Sequence, residues 1–502
     1  MKQIMKNSLI LLAIFGMIII GKVEAQSEVD ALRFSLTPSL GTTARALGLG
    51  GAIGALGADQ SAVLSNPAGL AQYKNNSFNI SVGTVKGRNQ ATYLDGANKT
   101  ANSYVPELPS INVVWTKRKM VRGNPSKTGW VNTNFQVGYN RLADFNRNTS
   151  YKGANSKNSY TDYVADYVQG LDVSALDAND EQLEQGFYYY DNMFWYAYLI
   201  DSLSNGNYYA NYDAAAPGGI SQNGQIIKKG GMGEYNTAFA ANYEHKVYFG
   251  ASLNVNRVNY SEKNTFSETD NALTTGNWNS FDFTRNLETK GYGFSGRLGV
   301  IFRPNSNFRI GATIQTPTKL MLNDAYSDEL YVLEDDGLVT DVRTIDKEFI
   351  YTVTTPGKYG LQGAYIFGKR GLISAEIESV DYSAMNLSSS DNLFDDTNDE
   401  IVDKYQNATN IKIGGEYVLN SFRLRAGFAS VGNPLANEGD YSRNILSGGF
   451  GIQEKNWAFD FGMARDFTSD VYVPYTITGV ESVGVENTLS STKLMITITN
   501  KF

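Results

Sequence analysis

Val247-Tyr248-Phe249-Gly250-Ala251-Ser252-Leu253-Asn254-Val255 sets apolar side chains on every odd position and Tyr, Gly, Ser and Asn on the even ones. A period of two marks an extended strand with unlike faces. Phe422-Arg423-Leu424-Arg425-Ala426-Gly427-Phe428 repeats the pattern with two arginines on the polar face. Trp457, Phe459, Phe461 and Met463 alternate with Ala458, Asp460, Gly462 and Ala464. Similar runs lie near 77–85, 109–117, 133–141, 234–243, 289–303, 307–318, 357–367, 371–382, 408–418, 445–454 and 490–502. Each is close to the ~9–11 residues that a tilted strand needs to cross a bilayer.

The connections fall into two classes that take turns along the chain. Tight turns stand at 244–245, 304–306, 368–370, 419–420 and 454–456. Long polar stretches stand at 86–108, 142–233, 261–288, 319–356, 383–407, 432–444 and 468–489, the largest being 142–233. Outer-membrane barrels show this parity because their periplasmic turns are short and their external loops long. Both termini then fall in the periplasm, and only 118–132 is long for that side. A soluble sandwich has strands nearer ~5–6 residues and no such parity. The expected fold is an all-β, closed transmembrane antiparallel barrel, since an open edge in lipid leaves backbone groups without partners.

Composition agrees. Gly (49), Tyr (32) and Phe (25) are abundant, as small inward residues and interfacial aromatic girdles require. Lys2 and Lys6, the apolar run Leu9–Ile20 and Val23-Glu24-Ala25 read as a signal peptide over 1–25, too short for a spanning helix. The net charge is −8, which argues against a nucleic-acid partner. Cysteine is absent, so neither disulfides nor thiolate chemistry are available. The final strand aligns Leu494, Ile496, Ile498 and Phe502 on one face, and its terminal aromatic resembles the signal read by barrel-assembly machinery.

Residues 41–73 do not alternate and are dominated by Gly and Ala, which allow close backbone packing inside a crowded lumen. The glycines lack the preceding strand and the Gly-Lys-Ser/Thr of a phosphate loop. Ala44-Arg45-Ala46, Gly48-Leu49-Gly50-Gly51-Ala52, Asp59 and Asn66-Pro67-Ala68-Gly69-Leu70 resemble the N-terminal signature of the FadL/OmpP1/TodX family, in a style similar to its Bacteroidetes members. The resemblance implies a fourteen-stranded barrel (77–502) closed by an N-terminal hatch (26–76), carrying long-chain fatty acids or other hydrophobic compounds by passive diffusion. It also implies lateral exit through a gap in the wall. Asn66, Pro67, Ala68 and Gly69 would belong to the gating hatch near that gap. Pro67 stiffens a corner, while Asn66 can bond open backbone groups.

Within 142–233, Phe187, Tyr190, Phe194 and Tyr198 share one broad helical face, with Trp195 beside it. Such a face suits capture of acyl chains, the core of a folded loop, or an oligomer contact. Glu376, Glu378, Lys412, Glu416, Arg423, Arg425 and Asp460 lie on polar strand faces and so point into the lumen. Their mixed signs suit internal pairing that holds the hatch; alternatively, Arg423 or Arg425 binds a ligand carboxylate.

No catalytic constellation is expected. The single histidine, His245, lies in a short turn beside Glu244, away from any site for acyl chemistry. Neither a metal nor a cofactor is expected, and the acidic stretch Asp391–Asp403 reads as solvated loop. The expected partners are outer-membrane lipid, a hydrophobic small molecule and the assembly machinery. Two other functions stay open: a barrel serving type IX-like secretion or surface attachment, and a general porin.

Overall fold

The structure is a computed structural model that describes residues 27–37, 40–177, 179, 188–203, 206–212, 219–271, 278–391, 393–437 and 439–502. The signal-peptide reading and Phe187 lie outside them. Fourteen antiparallel strands form one closed wall. The first half comprises β1 (Ser77–Tyr93), β2 (Lys99–Arg118), β3 (Trp130–Asp144, resuming as Arg147–Asn155), β4 (Ile220–Tyr243), β5 (Val247–Asp270), β6 (Trp278–Phe302) and β7 (Phe308–Gln315, resuming as Lys319–Glu334). The second half begins with β8 in three segments (Val339–Arg343, Lys347–Thr354, Lys358–Ile366) and β9 (Gly371–Asp381, resuming as Asn386–Ser388). It continues through β10 (Asn407–Leu419), β11 (Phe422–Val431), β12 (Arg443–Gln453), β13 (Trp457–Tyr472) and β14 (Val485–Lys501). Closure is made by β1 on β14, in register from Ser77 opposite Lys501 to Tyr93 opposite Val485.

Many strands are longer than the alternating runs that announce them, and this corrects the loop boundaries. β5 and β6 run for 24 and 25 residues, so most of 261–288 is strand rather than loop. The physical reason is an inversion of polarity. Up to Val255 the outward residues of β5 are apolar and meet lipid, while the inward ones are Ser252 and Asn254. Beyond it the outward residues are Arg257, Asn259 and Lys263, and the inward Val258, Tyr260 and Phe266 are buried. The barrel therefore projects past the bilayer, where water is outside and packing is inside. Likewise 142–233 shrinks to the stretch between Asn155 and Ile220, and 319–356 is largely β7 and β8.

At the opposite end the turns are tight. Glu244 and His245 both have positive φ (54° and 57°), and Lys246 N–H closes the turn on Tyr243 O at 3.0 Å. The sole histidine thus serves turn geometry. The longer connection at 118–132 holds a small hairpin, Met120–Val121 against Asn124–Pro125.

Inside the wall lies the N-terminal segment. Helix α1 (Glu28–Ser35) starts with Ser27 N–H donating to Asp30 Oδ2 at 2.9 Å, and Phe34 packs on Phe145 and Tyr260. Helix α2 (Ala44–Gly48) is capped by Thr43. Two 3₁₀ turns follow, Gln60–Leu64 capped by Asp59 and Pro67–Gln72 capped by Asn66 with Pro67 just inside. That order, Asn at the cap and Pro in the first turn, favours a helical start. From 42 to 73 nearly every residue is buried.

Candidate functional site

The seat of this plug is a set of bare glycines on the inner wall. An added Cβ on Gly250 would stand 2.2 Å from Ala68 N, and one on Gly299 2.0 Å from Asn66 Oδ1. Gly414 and Gly427 touch the backbone of Leu49 and Gly50 in the same way, and Gly462 that of Ala44. Backbone meets backbone at Gly250, Gly414, Gly427 and Gly462, and the Asn66 side chain fills the space at Gly299, so a Cβ has no room at any of the five.

Asn66 is fully buried, and its side chain makes four hydrogen bonds. Its Oδ1 accepts from Ala68 N–H at 3.0 Å. Its Nδ2 donates to Val300 O (3.2 Å), Ala312 O (3.4 Å) and Gln362 Oε1 (3.1 Å), which ties the turn to β6, β7 and β8.

The inward charges pair with each other and with the plug. Lys412 Nζ meets Glu376 Oε1 at 2.9 Å, whose other oxygen accepts from Ser65 Oγ at 2.5 Å. Glu378 accepts from Asn410 at 2.9 Å. Arg425 binds Glu416 at 2.8 Å and Asp460 at 2.7 Å, and Glu416 also meets Arg45 of the plug at 3.5 Å. With both faces of its fork occupied, Arg425 has no room for a ligand carboxylate. Arg423 departs from the lumen expectation: its Nη1 donates to Asn420 O and Phe422 O at the rim. A further buried pair, Arg297 with Glu234 at 2.6 Å, was visible only as a charge sharing the inward phase of Gly299 and Ile301.

Above the plug is a cavity of about 450 Å³. Leu36, Leu47, Leu142 and Phe145 supply its apolar surface. Around them stand ion pairs: Arg147 holds Asp470 through two bonds (2.6 and 2.9 Å), Lys228 meets Glu262 at 3.3 Å, and Arg443 meets Asp466. The chamber is therefore amphipathic.

Beside this cavity the wall is broken. β2 pairs with β3 only from Ser110 opposite Asn140 down to Arg118 opposite Asn132. Above that, β2 pairs with β1 alone, while β3 shifts register at Arg141–Ala143, stops at Asp144 and resumes at Arg147 along β4. Pro106 and Pro109 lie on the unpaired edge, where a missing N–H costs nothing. Those two prolines inside a strand were the available sequence signal.

Arg141 spans the opening, donating to Asp144 Oδ1 (3.1 Å) and Gly230 O (3.0 Å) and approaching Glu107 at 3.4 Å. Outside lies a groove of about 670 Å³ between Leu108, Ile111, Tyr139 and Tyr235. Arg141 and Asn146 line both this groove and the inner cavity. The Asn66 turn is not at this break; it sits lower, at the level of Gly250 and Gly299.

The far end is covered by an aromatic cap. Helix α5 (Tyr190–Tyr196; α3 is Tyr160–Tyr167 and α4 Val173–Leu176) packs Tyr190 and Phe194 on Phe283 at 5.8 and 5.2 Å. Trp195 leans on Tyr208 at 6.1 Å. Phe194 is fully buried and Tyr198 is 67% exposed, so they do not share a capture face. The rings that look like a groove in sequence are the core of the folded loop, because burying them there removes more apolar surface than an open face would. The acidic stretch near 391–403 contributes helix α6 (Asp395–Lys404), and no metal-holding cluster occurs among the described residues. Phe502 follows β14 and is exposed, its N–H donating to Asn76 O at 3.1 Å.

A closed antiparallel barrel with an apolar outer belt and its N-terminal segment packed inside defines a membrane β-barrel. The chain belongs to the family described as outer membrane protein transport protein (OMPP1/FadL/TodX), whose model matches residues 203–498, a stretch separate from the 41–73 signature. Similar solved structures include a Pseudomonas aeruginosa FadL homologue, at 12% identity and TM-score 0.55, covering 92% of this chain and 98% of that one. The P. putida toluene transporter TodX is similar at 14% identity and TM-score 0.52, with 92% and 98% covered. At such identities the likeness is one of fold. Comparison with curated protein sequences yields no match. The protein is thus an outer-membrane β-barrel of a family that transports hydrophobic compounds.

Proposed function

We propose that this chain carries amphipathic hydrophobic molecules, long-chain fatty acids or similar, by passive diffusion into the lumen cavity and out sideways between β2 and β3. The observation that carries this reading is that Arg141 and Asn146 line both the cavity and the outer groove. A ligand leaving there moves from one apolar surface to another and never crosses the plug. The plug, held through Asn66, Pro67, Ala68 and Gly69, is the hatch: it closes the periplasmic route and floors the cavity. A bare hydrocarbon of the kind named for the toluene transporter gains nothing from the ion pairs around this chamber. A molecule with a polar head and an apolar tail uses both surfaces.

The test exploits the absence of native cysteine. Asn148 Nδ2 bonds Asn102 O across the break at 2.9 Å, so Asn102→Cys with Asn148→Cys places two thiols there. Saturable uptake of labelled fatty acid into vesicles is expected from the reduced variant, lost on oxidation and regained with reductant. Undiminished uptake by the cross-linked form rules out lateral exit and leaves only the coarser transport reading.

A further inference from the structure

The outer wall carries a second groove, unrelated to the break. It has a volume of about 680 Å³ and lies over β9, β10 and β11 near the periplasmic end. Gly415 stands opposite Ile373 on one side and Ala426 on the other. A Cβ on Gly415 would meet only Leu372 O, at 3.8 Å, so the floor opens outward. Phe367, Ile373, Tyr417 and Leu424 rise around it, each about half exposed on the lipid-facing surface. Two small residues among four large ones make a slot for a hydrocarbon chain.

The mouth of the slot is cationic. Arg370 lines it and Lys369 precedes Arg370 in the turn that Gly368 starts at φ 58°. Both side chains are exposed, and neither has an ion-pair partner among the described residues. The whole rim shares this sign. The periplasmic connections 74–76, 117–129, 244–246, 303–307, 367–370, 420–423 and 454–456, with 501, hold thirteen Lys and Arg against two Glu, in a chain of net charge −8. Just inside this ring, Trp115, Trp130, Phe302, Tyr417 and Trp457 face outward, as interfacial aromatics do.

We infer that the groove over β9–β11 seats an anionic phospholipid of the periplasmic leaflet, an acyl chain along Gly415 and Ala426 and the phosphate at Lys369 and Arg370. The ligand class follows from placement. An acyl chain reaches a slot that faces hydrocarbon, whereas an acidic protein in the periplasm reaches only the rim. Juxtamembrane cations attract anionic headgroups, and the slot adds shape.

The experiment is native mass spectrometry of the full chain, delipidated in detergent and titrated with phosphatidylglycerol or phosphatidylethanolamine. Wild type is expected to retain phosphatidylglycerol preferentially. Lys369→Gln with Arg370→Gln is expected to weaken retention about tenfold or more, from the two lost charges. Gly415→Leu fills the slot from open space and is expected to remove the adduct with the cations intact. Heat-modifiable gel migration confirms that each variant is a folded barrel. Equal retention of the two lipids, or wild-type retention by either variant, overturns the proposal; loss in the charge variant alone assigns binding to the rim and not to the groove.

Discussion

The plug and the aromatic cap close the same lumen from opposite ends by different physics. The plug meets the wall backbone to backbone, through glycines such as Gly250 and Gly414, and is fastened by directed bonds from Asn66, Ser65 and Arg45. The cap is a pile of rings, Tyr160, Tyr190, Phe194 and Phe283, in tilted and edge contacts 5.2–5.8 Å apart. Directed contact at zero clearance is intolerant of added volume. Ring packing has many near-equivalent solutions and yields gradually. The difference gives strict shape to the plugged end and adaptability to the capped end.

The largest effect that would break this contrast belongs to Gly250→Val. The new Cβ would fall 2.2 Å from backbone atoms of Pro67 and Ala68, which have no rotamer by which to retreat. The barrel is expected to assemble, because position 250 is otherwise an ordinary strand residue, but the plug cannot seat. Planar-bilayer current well above wild type, with hydrogen-exchange protection lost over 59–73, is the expected result. Wild-type current and protection would mean that the plug adapts as readily as the cap.

The cap is expected to respond to pH, an intermediate effect. Glu268 lies in the part of β5 beyond the bilayer, fully buried, accepting from Tyr160 N–H at 2.8 Å and Gln222 Nε2 at 2.7 Å and from Ser159 Oγ. Burial pushes its carboxyl up to about 7, and burial also raises Asp162 nearby. Between the ordinary carboxylate range, about 4.3, and pH 7 the docked cap holds a proton that the undocked loop has released. Its contribution is therefore full at low pH and lost as pH rises through 7. Exchange protection over 159–167 is expected to fall from pH 5 to pH 8, and Glu268→Gln to flatten the profile. A profile unchanged by that substitution would remove Glu268 as the cause.

The two ends also differ in how far they can be read from sequence. The Asn66-Pro67-Ala68-Gly69 stretch is a local signal, and so is the alternation of 247–255, because each side chain's environment repeats every second residue. Three things escaped for want of such locality. Strand beyond the bilayer keeps its period but inverts its polarity, so Val258, Tyr260 and Phe266 no longer look like a lipid face. The partners of Asn66 lie 234, 246 and 296 residues away and share nothing with it in sequence. The inward glycines look like any small residue until the plug backbone is seen against them. By contrast, the break between β2 and β3 had a local mark in Pro106 and Pro109, which demote a strand to an edge. The aromatics around Tyr190 were visible as a cluster, but whether rings face a ligand or each other depends on Phe283, which arrives from β6.

The smallest effect sharpens the same contrast from the cap's side. Phe194 has no exposed surface, and its ring lies 5.2 Å from Phe283 and 5.7 Å from Tyr190. Phe194→Leu keeps an apolar side chain of nearly the right size, and neighbouring rings can shift to fill the remainder. The cost is about 1 kcal/mol of cap stability, small for a large-to-small core change because the surrounding rings can close on the volume lost. It is expected to appear as a few-fold rise in exchange over 188–200, with vesicle uptake of fatty acid unchanged. A side chain with many packing solutions should forgive this loss, as the Gly250 position cannot forgive a gain. If Phe194→Leu instead disabled uptake as completely as an unseated plug, the cap would be a shaped ligand contact, and adaptability would no longer separate the two ends.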